Sequence, residues 1–214
     1  MLMREERELV AIYGRKLIEA GLTTGTGGNI SVFNRSKGLL AIKPSGIDYM
    51  DIRPEDVPVM DLDGNRVEGE LKPSSEYEMH AIVYRNREDA NAVVHTHSTF
   101  STTIACLNLE IPSLHYLVAF AGEKVPCAQY ATYGTKELAE NAMQALGTKY
   151  NATLLANHGL LVLGRDVRMA FATTEQIEFC AELFYRTRCA GEPVLLPQDE
   201  MARVAERFKT YGQG

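Results

Sequence analysis

The sequence predicts one α/β domain over residues 1–214, with a central, mainly antiparallel sheet flanked by helices. Three observations lead to that class. Segments with apolar residues at helical spacing alternate with short runs of aliphatic and β-branched residues. Two pairs of those runs meet at short turns, Asp63-Gly64 and Asn157-His158-Gly159, as strands of an antiparallel sheet do. No internal repeat and no linker rich in proline, glycine or serine divides the chain.

In chain order, Leu9, Ile12, Tyr13, Leu17 and Ile18 place an apolar face on a helix over residues 3–20, and Gly21 ends it. Ile30–Phe33 and Gly38–Lys43 read as strands, the second broken by Pro44-Ser45-Gly46. Residues 57–68 read as a hairpin about Asp63-Gly64. A helix opens within Lys72–His80 and runs to about Arg85; Ser75 is the expected N-cap, with Glu78 three residues on closing a capping box. Asn91–His97 is a strand, Ser98–Leu107 a helix, Ile111–Tyr116 loop or strand, and Gly122–Ala128 a strand followed by a connection. Thr135–Leu146 is an amphipathic helix and Ala152–Leu163 a pair of strands. Val167–Arg188 is a long helix with apolar Phe171, Ile177, Phe179, Leu183 and Phe184, and Asp199–Phe208 is a last one.

Composition narrows the function class. The 214 residues suit one large domain or two small ones, and 45% hydrophobic with 23% charged residues is ordinary for a soluble protein. A net charge of −6, from 22 basic and 28 acidic side chains, gives no nucleic-acid footprint. No apolar run is long enough to span a bilayer, and the charged, amphipathic N-terminus does not read as a signal peptide. Cys106, Cys127, Cys180 and Cys189 are scattered, with no CxxC pair, so a reduced cytoplasm is expected.

The chemistry concentrates in Asn91-Ala-Val-Val-His-Thr-His97. On a strand His95 and His97 point to one face, with Cα atoms roughly 7 Å apart. Two imidazoles so spaced can reach one metal at about 2.0–2.1 Å; they can equally be polar residues at a strand end. His158, in a turn between two apolar strands, is poorly placed for plain packing. With Glu76 at a helix start, the three histidines make a set of imidazole and carboxylate donors that suits zinc. His80 and His115 are weaker candidates: no HExxH motif accompanies the first, and the second lies in an irregular stretch. Thr23-Thr-Gly-Thr-Gly-Gly-Asn29, the Ser45-Gly46 turn and Ser74-Ser75 at a helix N-terminus can each present N–H groups or hydroxyls to an anion. Each alone has a plain alternative as a flexible turn or a cap. Lys43 either adds charge to such a seat or lies exposed at a strand end.

Taken together, Gly25-Thr-Gly-Gly-Asn29, Pro44-Ser-Gly46, Lys72-Pro-Ser-Ser-Glu76, His95-Thr-His97, Asn157-His-Gly159 and Lys209-Thr-Tyr-Gly212 resemble the class II, zinc-dependent aldolase family, which also holds sugar-phosphate 4-epimerases. Six motifs in order over nearly the whole chain make this resemblance far more specific than any one of them. It implies the class II aldolase and adducin-like fold and zinc held by His95, His97 and His158. Glu76 is implied as a further ligand that serves as acid and base in turnover. It implies phosphate binding by Gly28, Asn29, Ser45, Gly46, Ser74 and Ser75. Tyr116 matches a tyrosine that handles the proton on the aldehyde oxygen, and Tyr211 one that closes the site of a neighbouring chain. A homotetramer with sites between subunits follows from the same likeness.

The implied reaction is reversible cleavage of a ketose 1-phosphate to dihydroxyacetone phosphate and a small aldehyde. The ketose would be L-fuculose 1-phosphate or a 5-deoxypentulose 1-phosphate. Breaking the C3–C4 bond leaves an electron pair beside the C2 carbonyl, which calls for a Lewis acid and a proton donor. Glu76 and the Lys-Thr-Tyr-Gly tail favour an aldolase, since the epimerase branch carries aspartate at that position. Lys43-Pro-Ser-Gly46 and His-Thr-His resemble the L-ribulose-5-phosphate 4-epimerase, which is the rival reading. Tyr133 stands where the fuculose enzyme carries phenylalanine. A Schiff-base aldolase using Lys43 and a non-catalytic oligomeric scaffold are the readings from other classes.

Overall fold

The computed structural model describes residues 1–208 and 210. Helix α1 (Arg4–Glu19) leads through the glycine-rich turn to β1 (Asn29–Asn34) and β2 (Leu39–Ile42), then to the hairpin β3 (Val59–Asp61) and β4 (Arg66–Glu68). Helix α2 (Tyr77–Asn86) is followed by β5 (Ala92–Thr96), α3 (Thr99–Cys106) and the short β6 (Cys127–Ala128). Helix α4 (Lys136–Leu146), the pair β7 (Ala152–Leu155) and β8 (Gly159–Gly164), the long α5 (Val167–Ala190) and α6 (Gln198–Phe208) complete the fold. The strands form one sheet in the order β4-β3-β2-β1-β5-β8-β7-β6. Among the described residues only β6 and β7 run parallel, so the expected α/β architecture with a mainly antiparallel sheet is what the chain forms.

Period-2 alternation in β5 sets up the site. Val93 packs under α2 and α4 with Met79, Val83 and Leu138, whereas Ala92 and Val94 pack on the other face with Val10 and Leu17 of α1. Each fully buried aliphatic side chain of this kind contributes about 1.5–3 kcal/mol, so the register cannot slip by one residue without exposing the whole set. His95 therefore shares the α2 face with Val93, and Thr96 turns to the α5 side. Beyond β8, α3, α5 and α6 cover β7 and β8 around Ile104, Leu154, Ile177 and Cys180.

Three local expectations need correction. Ser75 does not cap α2, and Glu78 closes no capping box. Pro73 bridges to Pro44, and the Ser74 N–H donates to the Lys43 carbonyl, so the chain stays extended through Ser74. The helix then begins one residue late with Glu76 as N-cap, Ser74 Oγ accepts from the Glu76 N–H at 3.2 Å, and Glu78 pairs with Arg85. Ile12 and Phe179 lie outside the buried stripes of α1 and α5 and are exposed, since helical spacing alone admits flanking positions. Residues Tyr116–Phe120, at the end of the stretch read as loop or strand, form a 3-10 helix.

The helix after the histidine strand is capped from a distance. Ser98, at the N-cap of α3, makes no local side-chain cap. Glu178 of α5 instead accepts from Ser98 Oγ at 2.7 Å, Phe100 N–H at 2.7 Å and Ser101 N–H at 2.9 Å. Its negative charge also meets the positive end of the helix. Glu178→Ala leaves those donors unpaired and is expected to lower stability by about 1–3 kcal/mol, read as the midpoint shift in urea unfolding; an unshifted midpoint contradicts the cap.

Candidate active site

At the ends of β5 and β8 on the α2 face, three imidazoles meet. Ligand-capable nitrogens of His95, His97 and His158 lie within 4.8 Å of one another, and His95 Nε2 is 3.1 Å from His97 Nε2. Close backbone approach makes this possible. A Cβ at Gly28 would lie 2.5 Å from the His95 carbonyl oxygen, and one at Gly159 would lie 2.3 Å from that of Thr96. Both turns need glycine for that reason, and Gly28 also sits at φ +66°.

The tautomer of His95 follows from its partner. Its Nδ1 is 2.9 Å from the Leu160 carbonyl, which can only accept, so Nδ1 carries the hydrogen and Nε2 presents a lone pair to the cluster. Burial lowers the His95 pKa to about 3, with the neighbouring His97 adding to it. Burial lowers His158 to about 4, with His95 and His97 adding and Glu76 opposing. His97, exposed at the cavity mouth, is also lowered by the protein packed around it, against the pull of Glu76. The three rings are neutral near pH 7, the form that ligates a metal.

Glu76 completes the cluster. Its Oε2 is 3.4 Å from His95 Nε2, and its Oε1 is 3.4 Å from His158 Nε2. Oε2 accepts from Asn29 Nδ2 at 2.9 Å. Oε1 is buried with no hydrogen-bond partner. Lone pairs and a carboxylate converging on one point, one oxygen otherwise orphaned, form a donor set that fits a divalent cation.

The cluster forms one wall of a cavity of about 470 Å³. Gly28, Asn29, Ser45, Gly46, Ser74 and Ser75, all six positions expected to bind phosphate, line it together with Glu76, His97 and His158. Lys43 lines it too and is buried, not exposed. Its ammonium donates to the Thr26 carbonyl at 3.3 Å and the Pro44 carbonyl at 3.2 Å, joining the two turns, and lies 4.5 Å from the centre of the Tyr49 ring. Burial brings its pKa down to about 8, with Asp48 opposing. Tyr130, Ala131 and Tyr133 line the same cavity.

The Class II Aldolase and Adducin N-terminal domain family matches residues 8–185. The chain belongs to the class II aldolase family. Among its relatives is the 5-deoxy-D-ribulose 1-phosphate aldolase of Bacillus thuringiensis serovar kurstaki, 54% identical over 213 residues that cover both chains in full. The L-fuculose phosphate aldolase of Escherichia coli K12 is 41% identical over 92% of this chain and 91% of its own. A solved L-fuculose 1-phosphate aldolase superposes with a TM-score of 0.94 at 49% identity, covering 98% of each chain.

For this class II aldolase, one expected site residue among those described stands apart from the cavity. Tyr116 is exposed on the 3-10 helix beside His115 and does not line it, and Tyr211 lies outside the described residues. His115 accepts from the Leu117 N–H and neither joins the three histidines nor lines the cavity. Asn157, expected only as part of the Asn157-His-Gly159 motif and given no role, lines the cavity at φ +54°, and His80, the weaker candidate, is fully buried one turn after Glu76. The helical spacing from Glu76 to His80 was the available signal.

The lowered histidine pKa values set a pH dependence. The unfolded chain takes up protons near the ordinary histidine value of 6.5, but the folded protein holds His158 neutral to about 4 and His80 and His95 neutral to about 3. Between those limits the unfolded state binds more protons, so stability falls as pH falls. Urea midpoints are expected to drop from pH 7 to pH 5, and a flat profile over that interval contradicts the neutral assignments.

Proposed function

We propose that the chain, acting as one domain over residues 1–214, is a zinc-dependent aldolase that reversibly cleaves a ketose 1-phosphate to dihydroxyacetone phosphate and a small aldehyde. The observation that carries this reading is the two-part cavity. One wall is a cluster of neutral imidazoles with the Glu76 carboxylate, and the other is built from three turns rich in N–H groups and hydroxyls, with the Lys43 ammonium between two of them.

In this reading His95, His97, His158 and Glu76 hold the metal. When bound, the ion supplies a Lewis acid for the oxygens beside the bond that breaks. Gly28, Asn29, Ser45, Gly46, Ser74 and Ser75 grip the phosphate, and Lys43 adds positive charge. That grip fixes the reacting carbons against Glu76. Oε1 of Glu76, the oxygen without a hydrogen-bond partner, moves the proton to and from C3. Tyr116, exposed on this chain, serves the site of a neighbouring subunit in a homotetramer and handles the proton on the aldehyde oxygen. Tyr211 closes the neighbour's site in the same way.

The 54% identity to a 5-deoxy-D-ribulose 1-phosphate aldolase, against 41% to an L-fuculose phosphate aldolase, favours a 5-deoxypentulose 1-phosphate as the ketose. Tyr133, exposed at the cavity, lines the end where the aldehyde would leave. Four unpaired cysteines agree with a cytoplasmic setting, and among the described residues no helix is long and apolar enough to cross a membrane.

A coupled assay for dihydroxyacetone phosphate over a panel of ketose 1-phosphates tests this reading. Release from the 5-deoxypentulose ester is expected, abolished by a chelator and restored by zinc. Epimerisation of L-ribulose 5-phosphate without cleavage of any ketose 1-phosphate would overturn it. Glu76→Gln is expected to cut turnover by about 10²–10⁴-fold with the unfolding midpoint retained; undiminished turnover removes the acid–base role.

A further inference from the structure

Behind Glu76 a line of buried polar groups crosses from α2 to β1. Asn29 and Ser31 lie two apart on β1, on the face covered by α2, and Asn29 pairs in register with His95. His80, one turn after Glu76 on α2, fits between them. Its Nε2 meets Asn29 Oδ1, and its Nδ1 is 2.6 Å from Ser31 Oγ. Ser31 Oγ is in turn 2.6 Å from the Tyr84 hydroxyl. Asn29, Ser31, His80 and Tyr84 are all buried.

The direction of every hydrogen in this line is fixed from one end. The Glu76 carboxylate only accepts, so Asn29 must turn its Nδ2 to Oε2 and its Oδ1 to His80. Asn29 Oδ1 only accepts, so His80 carries its hydrogen on Nε2. The neutral ring then accepts at Nδ1 from the Ser31 hydroxyl, which is free to accept from Tyr84. Burial first, and His95 second, keep His80 neutral by lowering its pKa to about 3. Burial raises the Tyr84 hydroxyl far above its ordinary range, so the line ends in a group that does not ionise. Its ring is fixed by stacking on Phe33 at 4.7 Å.

We propose that His80 is a positioning residue for Glu76: with Ser31 and Tyr84 it locks the Asn29 amide so that Glu76 is held by Oε2 and Oε1 is left to work. This rests on the aldolase reading above. An Asn29 free to flip would set its carbonyl against the carboxylate and swing Glu76 away from the cluster. His80 does not line the cavity, and its hydrogen bond toward Glu76 runs through Asn29.

The test measures exchange of a C3 hydrogen of dihydroxyacetone phosphate with solvent deuterium, the step assigned to Glu76, in wild-type, His80→Met, His80→Gln and Tyr84→Phe proteins. His80→Met is expected to slow exchange by about 10–100-fold, as loss of a supporting hydrogen bond typically does, with KM for the phosphate ester changed less than twofold. The His80→Gln amide can still donate to Asn29 and is expected to recover most of the rate. Long-range ¹⁵N correlation on the purified wild-type enzyme reads the His80 tautomer directly and is expected to show hydrogen on Nε2. If wild-type protein does not exchange, the aldolase reading itself fails. If wild type exchanges and His80→Met exchanges equally fast, or His80 carries its hydrogen on Nδ1, this inference fails and the aldolase reading stands. Should His80→Met not fold, Tyr84→Phe decides: a slowed exchange with unchanged KM supports the line, and a wild-type rate overturns it.

Discussion

The end of β5 is squeezed between two glycines, and the site depends on that squeeze. Gly28 meets the carbonyl of His95 from the β1 side, and Gly159 meets that of Thr96 from the β8 side. Any side chain at either position would need the backbone to move, and with it the imidazoles that the backbone carries. The same contact places Asn29 opposite His95 and the His158 turn against His97. Packing of Ala92, Val93 and Val94 on both faces of the sheet then makes the strand rigid.

Burying the Glu76 carboxylate with the imidazoles of His80 and His95 is costly unless each polar atom has a role. Neutral histidines remove most of that cost, because burial itself pushes off their protons. His95 uses the Leu160 carbonyl to fix its ring, and Glu76 uses Asn29. Within this region Glu76 Oε1 is left without a hydrogen-bond partner, where the three rings converge. A bound cation would give that oxygen the partner it lacks.

The architecture was legible in the sequence because its signals are local: apolar spacing for α1, α4 and α5, Asp63-Gly64 for the hairpin, and period 2 for His95 and His97. The donor cluster was legible because histidines at strand ends have few structural uses. What stayed hidden depends on contacts between distant segments. Ser75 looked like a cap since no local pattern reveals that Pro73 is tied to Pro44. His80 looked incidental since its partners Asn29 and Ser31 come from a strand some 50 residues earlier. Glu178 could not be recognised as the cap of α3 for the same reason. Lys43 was ambiguous because burial of a strand-end lysine is decided by which turns fold over it.

The position of β5 also bears on how the protein reaches this state. Asn29 pairs with His95, and His95 pairs with Leu161, so the central strand joins segments 66 residues away on either side. Closing two such long loops costs entropy before any contact rewards it, and topologies of this kind fold slowly. The donors for the cation come from β5 at the centre of that span, from the turn before β8 and from the start of α2. They are therefore assembled only when β5 and β8 have paired, and no fragment lacking the turn before β8 brings them together. An ion that binds this cluster gains affinity late in folding and holds the completed sheet shut, since the unfolded chain offers it no comparable site.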